Sequence, residues 1–119
     1  MDRSELRSPE TVPRTERVAA NLNKVLAPMV ADWARGAGVM ASVTGIQVSP
    51  DLKHAKVAVS VLGADLAGIT AALNAESGHF RHALASRVRM KTLPKLKFVA
   101  DDSLAASARL SNLIADRER

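Results

Sequence analysis

The sequence predicts a single α+β domain built in the order helix, strand, strand, helix, broken helix, strand, helix. Three observations carry this. Apolar residues recur with a helical period after residue 13. Apolar and small residues alternate with period two in two neighbouring segments and again near residue 97. Proline, glycine and aspartate punctuate the joins between them. A chain of 119 residues is long enough for one modest core.

Residues 1–12 contain Pro9 but no apolar periodicity and are expected to form a mobile arm, with the domain over 13–116 and a short tail over 117–119. Val18, Leu22, Val25, Leu26, Met29 and Trp33 then follow the spacing of one helical face. Pro13 suits the first helical turn, where its missing N–H costs nothing. Pro28 falls inside the stripe and predicts a kink or an early stop. Gly36-Ala37-Gly38 closes the element.

Two strands follow. Thr44, Ile46 and Val48 are expected on one face, alternating with Gly45 and Gln47. Ser49-Pro50-Asp51-Leu52-Lys53-His54 is a turn-rich join, and Val57, Val59 and Val61 alternate with Ala58 and Ser60. A hairpin is the natural pairing, with one sheet face covered and the other small and polar.

Asp65 offers an N-cap for a helix lined by Leu66, Ile69 and Leu73. Gly78 is expected to interrupt it, and Phe80, Leu84 and Val88 mark a second helical stretch ended by Leu93-Pro94. Lys95 to Ala100 alternates as a short third strand that turns Lys95 and Lys97 outward. Asp101-Asp102-Ser103 can cap a last helix with Leu110, Leu113 and Ile114 inward.

Composition narrows the chemistry. There is no cysteine, so disulfides, thiol nucleophiles and cysteine zinc clusters are excluded. His79 and His82 stand three apart, but His54 is the only other histidine, and a metal site would need remote carboxylates. The adjacent pair Asp101 and Asp102 is read as helix capping rather than general acid–base chemistry. No G-x-G-x-x-G or P-loop lysine is present, which argues against nucleotide hydrolysis. Met1 to Glu5 is polar and no apolar run suits a membrane span, so a cytoplasmic location is the default.

Charge is the informative feature. Residues 79–100 carry Arg81, Arg87, Arg89, Lys91, Lys95 and Lys97 and no acid, whereas the rest of the chain carries eleven basic and twelve acidic side chains. One segment thus holds the whole excess of +5. A local acid-free block points to a polyanionic partner, against the plainer reading of a solvated helix and a lysine-protected edge strand. Helical geometry divides Arg81 and Arg89 from Arg87 and Lys91 along two flanks of the Phe80 stripe. Aromatics are 3% with no Tyr, so base stacking has little to work with. The charges suit phosphate contacts, hence backbone- and shape-directed RNA binding with salt-sensitive affinity.

Ordered motifs add to this. Arg14-Thr15-Glu16-Arg17-Val18-Ala19, Val43 to Leu52 running into His54-Ala55-Lys56-Val57, Ser77-Gly78-His79-Phe80-Arg81, Leu93 to Phe98 and Asp101-Asp102-Ser103-Leu104 together resemble ribosome-binding factor A, a family of bacterial small-subunit assembly factors. The resemblance implies a type II KH-like fold, with helices on one face of a three-stranded sheet. It also implies an Ala-x-Gly interhelical kink in place of the KH-domain G-x-x-G loop. Here the corresponding residues are Glu76, Ser77 and Gly78, so glutamate replaces the alanine. The implied role is non-enzymatic and cofactor-free: a monomer binding free small ribosomal subunits and their ribosomal RNA near its 5′-terminal helix. Late maturation, RNA processing and cold adaptation follow from the same resemblance. The residues expected to neutralise phosphate are Arg81, Arg87, Arg89, Lys91, Lys95 and Lys97, helped by Arg14, Arg17, Lys53 and Lys56, and charge reversal at Arg81 and Arg89 is expected to weaken binding. The competing readings are a protein–protein adaptor using the polar sheet face or a strand edge, and a permanent small-subunit ribosomal protein.

Overall fold

Every buried apolar side chain of the sheet faces the same way, toward three helices. The computed structural model describes residues 12–103. The last helix expected around Leu110 to Ile114, the tail over 117–119 and all of the expected arm except Val12 lie outside that range. The elements are α1 (Arg14–Gly36), β1 (Met40–Val48), β2 (His54–Leu62), α2 (Leu66–Ala75), α3 (Ser77–Ala85) and β3 (Lys95–Ala100). The sheet order is β1-β2-β3. β1 and β2 form the expected antiparallel hairpin, and β3 lies parallel to β2 from His54↔Lys95 to Val59↔Ala100. A parallel return requires a crossover, which α2 and α3 supply across the covered face.

α1 runs 23 residues and does not stop at Pro28. Pro28 is solvent-exposed, so the Lys24 carbonyl it leaves without an intrahelical donor sits on the wet side, where water can serve it. The helix ends in a Schellman motif. The Val39 N–H donates to the Ala34 carbonyl at 3.0 Å and the Gly38 N–H to that of Arg35 at 3.1 Å, with Gly38 at φ +78°. The buried stripe is Leu22, Leu26, Val30 and Ala34, while Val18, Val25, Met29 and Trp33 pack along its margins. The small Ala34 is fully buried within the stripe, and the bulky Trp33 packs at its margin.

β1 corrects the expected alternation. Its register against β2 shifts between Val43 and Gly45, so Thr44 is the extra residue of a bulge. Ala41 and Val43 precede the bulge and Ile46 and Val48 follow it, opposite Val61, Val59, Val57 and Ala55 respectively. Thr44 therefore does not share the face of Ile46 and Val48. Its hydroxyl donates instead to Asp101 Oδ2 at 2.6 Å, reaching across β2.

Asp65 caps α2 by accepting from the Gly68 N–H at 2.9 Å. Leu73 and Thr70 are its buried residues, Thr70 donating its hydroxyl to the Leu66 carbonyl at 2.6 Å. The break between α2 and α3 falls at Glu76, not at Gly78. Glu76 sits at φ −99°, ψ 7°, ending α2 through its N–H and opening α3 by accepting from the Phe80 N–H at 3.1 Å. Gly78 lies inside α3, and a Cβ there would meet nothing within 4 Å. The turn thus uses a backbone conformation open to glutamate, and glutamate stays exposed there.

α3 stops at Ala85, well short of Leu93-Pro94. The Ser86 hydroxyl donates to the Ala83 carbonyl at 2.9 Å, and residues 86–94 run as an irregular strap back to β3. Val88 therefore packs on the core from outside the helix. Phe80 and Phe98 meet at 5.4 Å between ring centroids, tilted by 59°, joining α3 to β3 at the middle of the core. The outer edge of β3 is closed by a side chain. Asn74 donates to the Phe98 carbonyl and accepts from its N–H, both at 2.8 Å, as a neighbouring strand would.

Candidate nucleic-acid interface

Three backbone segments meet at one end of the sheet. The N-terminus of α1 brings Arg14, the β1–β2 turn brings Lys53, and the strap brings Arg89 and Lys91. These four line a cleft of about 530 Å³ with Val18, Asn21, Asp51, Leu52, Met90 and Thr92. Arg17 lies between Arg14 and Asn21 on α1, one turn from each, and is exposed. Residues more than seventy apart in sequence thus form one basic surface.

The turn beneath the cleft is rigid for identifiable reasons. Asp51 Oδ1 accepts from the Ser49 hydroxyl at 2.6 Å and the Lys53 N–H at 3.0 Å, and Ser49 Oγ accepts from the His54 N–H at 3.0 Å. Those contacts, the Ser49 hydroxyl first, hold the Asp51 carboxyl below its ordinary value of 3.8. The one acid in the cleft is therefore ionised and committed to the turn. Leu52 adopts φ +62°, the only positive φ outside glycine among the described residues. The Lys95 N–H donates to the Lys53 carbonyl at 2.9 Å, so the same turn sets the start of β3.

The acid-free segment scatters rather than forming one patch. Arg81 donates from Nη2 to the Leu93 carbonyl at 2.9 Å and from Nε to the Pro94 carbonyl at 3.3 Å. It clamps the strap to α3, and its guanidinium borders a second cleft of about 500 Å³ with His82 and Lys91. Arg87 goes elsewhere, to a groove of about 270 Å³ between α1 and α3 floored by Met29, Trp33 and Phe80 and rimmed by Asp32, Glu76 and His79. The expected split of Arg81 and Arg89 from Arg87 and Lys91 assumed a helix through Lys91. Because α3 ends at Ala85, the strap places Arg89 and Lys91 together instead.

Lys95 and Lys97 are exposed on the sheet face away from the helices, Lys95 opposite His54 and Lys97 opposite Lys56. A shallow depression there, about 320 Å³, is lined by Lys56, Gln47, Thr44 and Asp101. Asp101 accepts from Thr44 and, through Oδ1, from the Ser103 N–H at 3.1 Å. The carboxylate pair at 101–102 thus has one member engaged in joining β1 to the end of β3. His79 and His82 line depressions on opposite flanks of α3. Among the described residues no group of three His, Asp or Glu side chains could hold a metal ion, and no helix is long and apolar enough to cross a membrane.

Leu52, Asn74 and the Arg81 clamp were not foreseen from sequence. Asn74 carries no local signal, since its partner is 24 residues away. Leu52 had one available sign: it occupies the turn position where glycine or asparagine is usual.

A helix-covered, three-stranded mixed sheet with a lysine- and arginine-lined end defines a KH-like α+β domain. A profile of the family described as Ribosome-binding factor A matches residues 14–114. The chain is 38% identical over 109 residues to Ribosome-binding factor A of Thioalkalivibrio sulfidiphilus, spanning 89% of this chain and 84% of that one. With the Halorhodospira halophila protein the identity is 40% over 106 residues, covering 86% and 84%. The crystal structure of ribosome-binding factor A from Thermus thermophilus superposes with a TM-score of 0.63 at 27% identity, over 72% of this chain and 93% of that one. A homology model of the Thermus thermophilus factor, fitted into a cryo-EM map of a 30S complex, gives 0.53 at 27% identity, over 68% and 92%. This chain belongs to the ribosome-binding factor A family.

Proposed function

We propose that this protein is a non-enzymatic assembly factor that binds free small ribosomal subunits through their RNA and assists late maturation. The observation that carries this reading is the convergence of Arg14, Lys53, Arg89 and Lys91 on one cleft, in a family with a member fitted into a small-subunit complex. Point charges borne on a helix end, a braced turn and a clamped strap suit folded RNA, whose phosphates have fixed relative positions. The cleft holds the RNA in a maturation-competent shape by neutralising phosphates, with no bond made or broken. The finer role we propose is support of ribosomal RNA processing near the 5′-terminal helix, by a cytoplasmic monomer needed most at low temperature, where misfolded RNA escapes slowly.

Sedimentation of cell extract over a sucrose gradient tests the role. The protein is expected with free small subunits and absent from translating ribosomes. Presence on translating ribosomes would make it a permanent subunit component, and binding that survives nuclease and moderate salt would make it a protein adaptor.

A further inference from the structure

We infer that Leu52 is a nucleotide-contacting residue of the basic cleft, an apolar knob held out by the turn to meet the ribose or base face of an RNA nucleotide whose phosphates the surrounding cations take. The inference deepens the proposed RNA-binding function and rests on it.

Three observations converge on this residue. First, its backbone is left-handed at φ +62°, a conformation that a bulky γ-branched side chain rarely adopts. Glycine or asparagine would sit there with less strain, so the isobutyl group is present despite the backbone. Second, the turn forces that conformation. The Leu52 N–H donates to the Ser49 carbonyl at 2.8 Å and the Ser49 N–H to the His54 carbonyl at 2.9 Å, over the Ser49–Asp51–Lys53 side-chain contacts already described. Strain that the surroundings over-determine is characteristic of sites that preorganise a contact. Third, the core formed by the described residues does not enlist the side chain. Val18 and Met90, which line the same cleft, pack against the core, whereas Leu52 is half-buried and is not one of the hydrophobic residues packed there among those described.

The surroundings specify the ligand chemistry. Lys53 is its immediate neighbour, and Arg14, Arg89 and Lys91 share the cleft. A free phosphate would use the cations and gain nothing from a leucine. A nucleic-acid strand offers both surfaces in alternation, phosphate and then an apolar sugar or base face. In a protein with so few aromatics, an aliphatic knob takes the place of a stacking ring.

The test uses the full chain, purified free small subunits and heparin, a polyanion without bases. Leu52→Asn keeps a residue tolerant of the left-handed backbone and removes the apolar group, and Leu52→Met restores apolar reach. The expected result is about tenfold weaker subunit binding for Leu52→Asn, recovery in Leu52→Met, unchanged heparin binding and an unchanged or higher Tm. Full subunit affinity in Leu52→Asn overturns the inference. So does an equal loss toward heparin, which would mean that Leu52 only orders the cations. A Tm lowered in step with the binding loss overturns it too, assigning Leu52 to packing. If wild-type protein fails to bind subunits at all, the proposed function itself falls, a result distinct from each of these.

Discussion

The basic cleft and the α1/α3 groove draw on the same short stretch of chain and come out opposite in character. Arg89 and Lys91 enter a cleft with Arg14 and Lys53, whose single acid is tied down by its own turn. Arg87, two residues earlier, enters a groove floored by Trp33, Met29 and Phe80 and shared with Asp32 and Glu76. Asp32 is itself paired with Arg35 at 2.8 Å, on a solvent-exposed face where such a bridge contributes little. Neighbours in sequence therefore do not share a surface, because α3 ends at Ala85 and the strap turns between them. The comparison shows that charge density along a chain is a poor guide to charge density in space.

The strongest way to break the contrast is to invert charge on each side. Lys53→Glu with Arg89→Glu is expected to weaken subunit binding by about 100-fold at low salt and to flatten its salt dependence by roughly one to two units of slope. Arg87→Glu is expected to change affinity by less than about threefold, measured by filter binding over a salt series. Equal effects would erase the distinction between cleft and groove.

Asn74 tests whether the frame beneath both regions is a matter of stability alone. Asn74→Leu leaves the Phe98 N–H and carbonyl on the β3 edge without their side-chain partner and is expected to cost about 2 kcal/mol in urea unfolding. The salt slope of binding should stay as in the wild type, since no cation is removed. Edge-to-edge association at high concentration, read by light scattering, should rise.

Arg81 sharpens the boundary between the two regions. Arg81→Ala removes both donors to the Leu93 and Pro94 carbonyls and is expected to cost about 1 kcal/mol, with faster amide exchange over 86–94. The amides of α1 around Trp33 should not respond. Unchanged exchange with a flattened salt slope would instead return Arg81 to the phosphate contacts expected from sequence.

The smallest effect concerns the turn under the cleft. Asp51 has its folded-state pKa below the ordinary value of 3.8, so it binds fewer protons folded than unfolded. Its contribution is therefore present above the ordinary value and is lost as pH falls through the lower folded value. An NMR titration should show the Lys53 amide shifting with a midpoint below 3.8, and Asp51→Asn should abolish that step.

Much of the fold is legible because it rests on local chemistry. The Val57–Val59–Val61 alternation, the Asp65 cap, the Gly38 terminus and the Lys95–Ala100 strand are each written within a few residues. Pro28 misled because whether a helix tolerates proline depends on which side faces water. Thr44 misled because a bulge changes parity without changing composition, and its reason, Asp101, lies 57 residues away. The cations of the candidate site could be named from the sequence, but not the surface that some of them share.

By itself the sequence determined the element types among the described residues, the faces that β2 and β3 bury, the segment that holds the excess charge and, through its ordered motifs, the family. Only the tertiary structure decided that Arg14, Lys53, Arg89 and Lys91 share a cleft, that Arg81 clamps the strap, and that Arg87 faces away. Periodicity and capping act over a single turn or pleat, whereas cleft membership depends on where α3 stops and how β3 returns parallel to β2. Those outcomes follow from packing among residues far apart in the chain, Phe80 on Phe98 and Asn74 on the β3 edge among them.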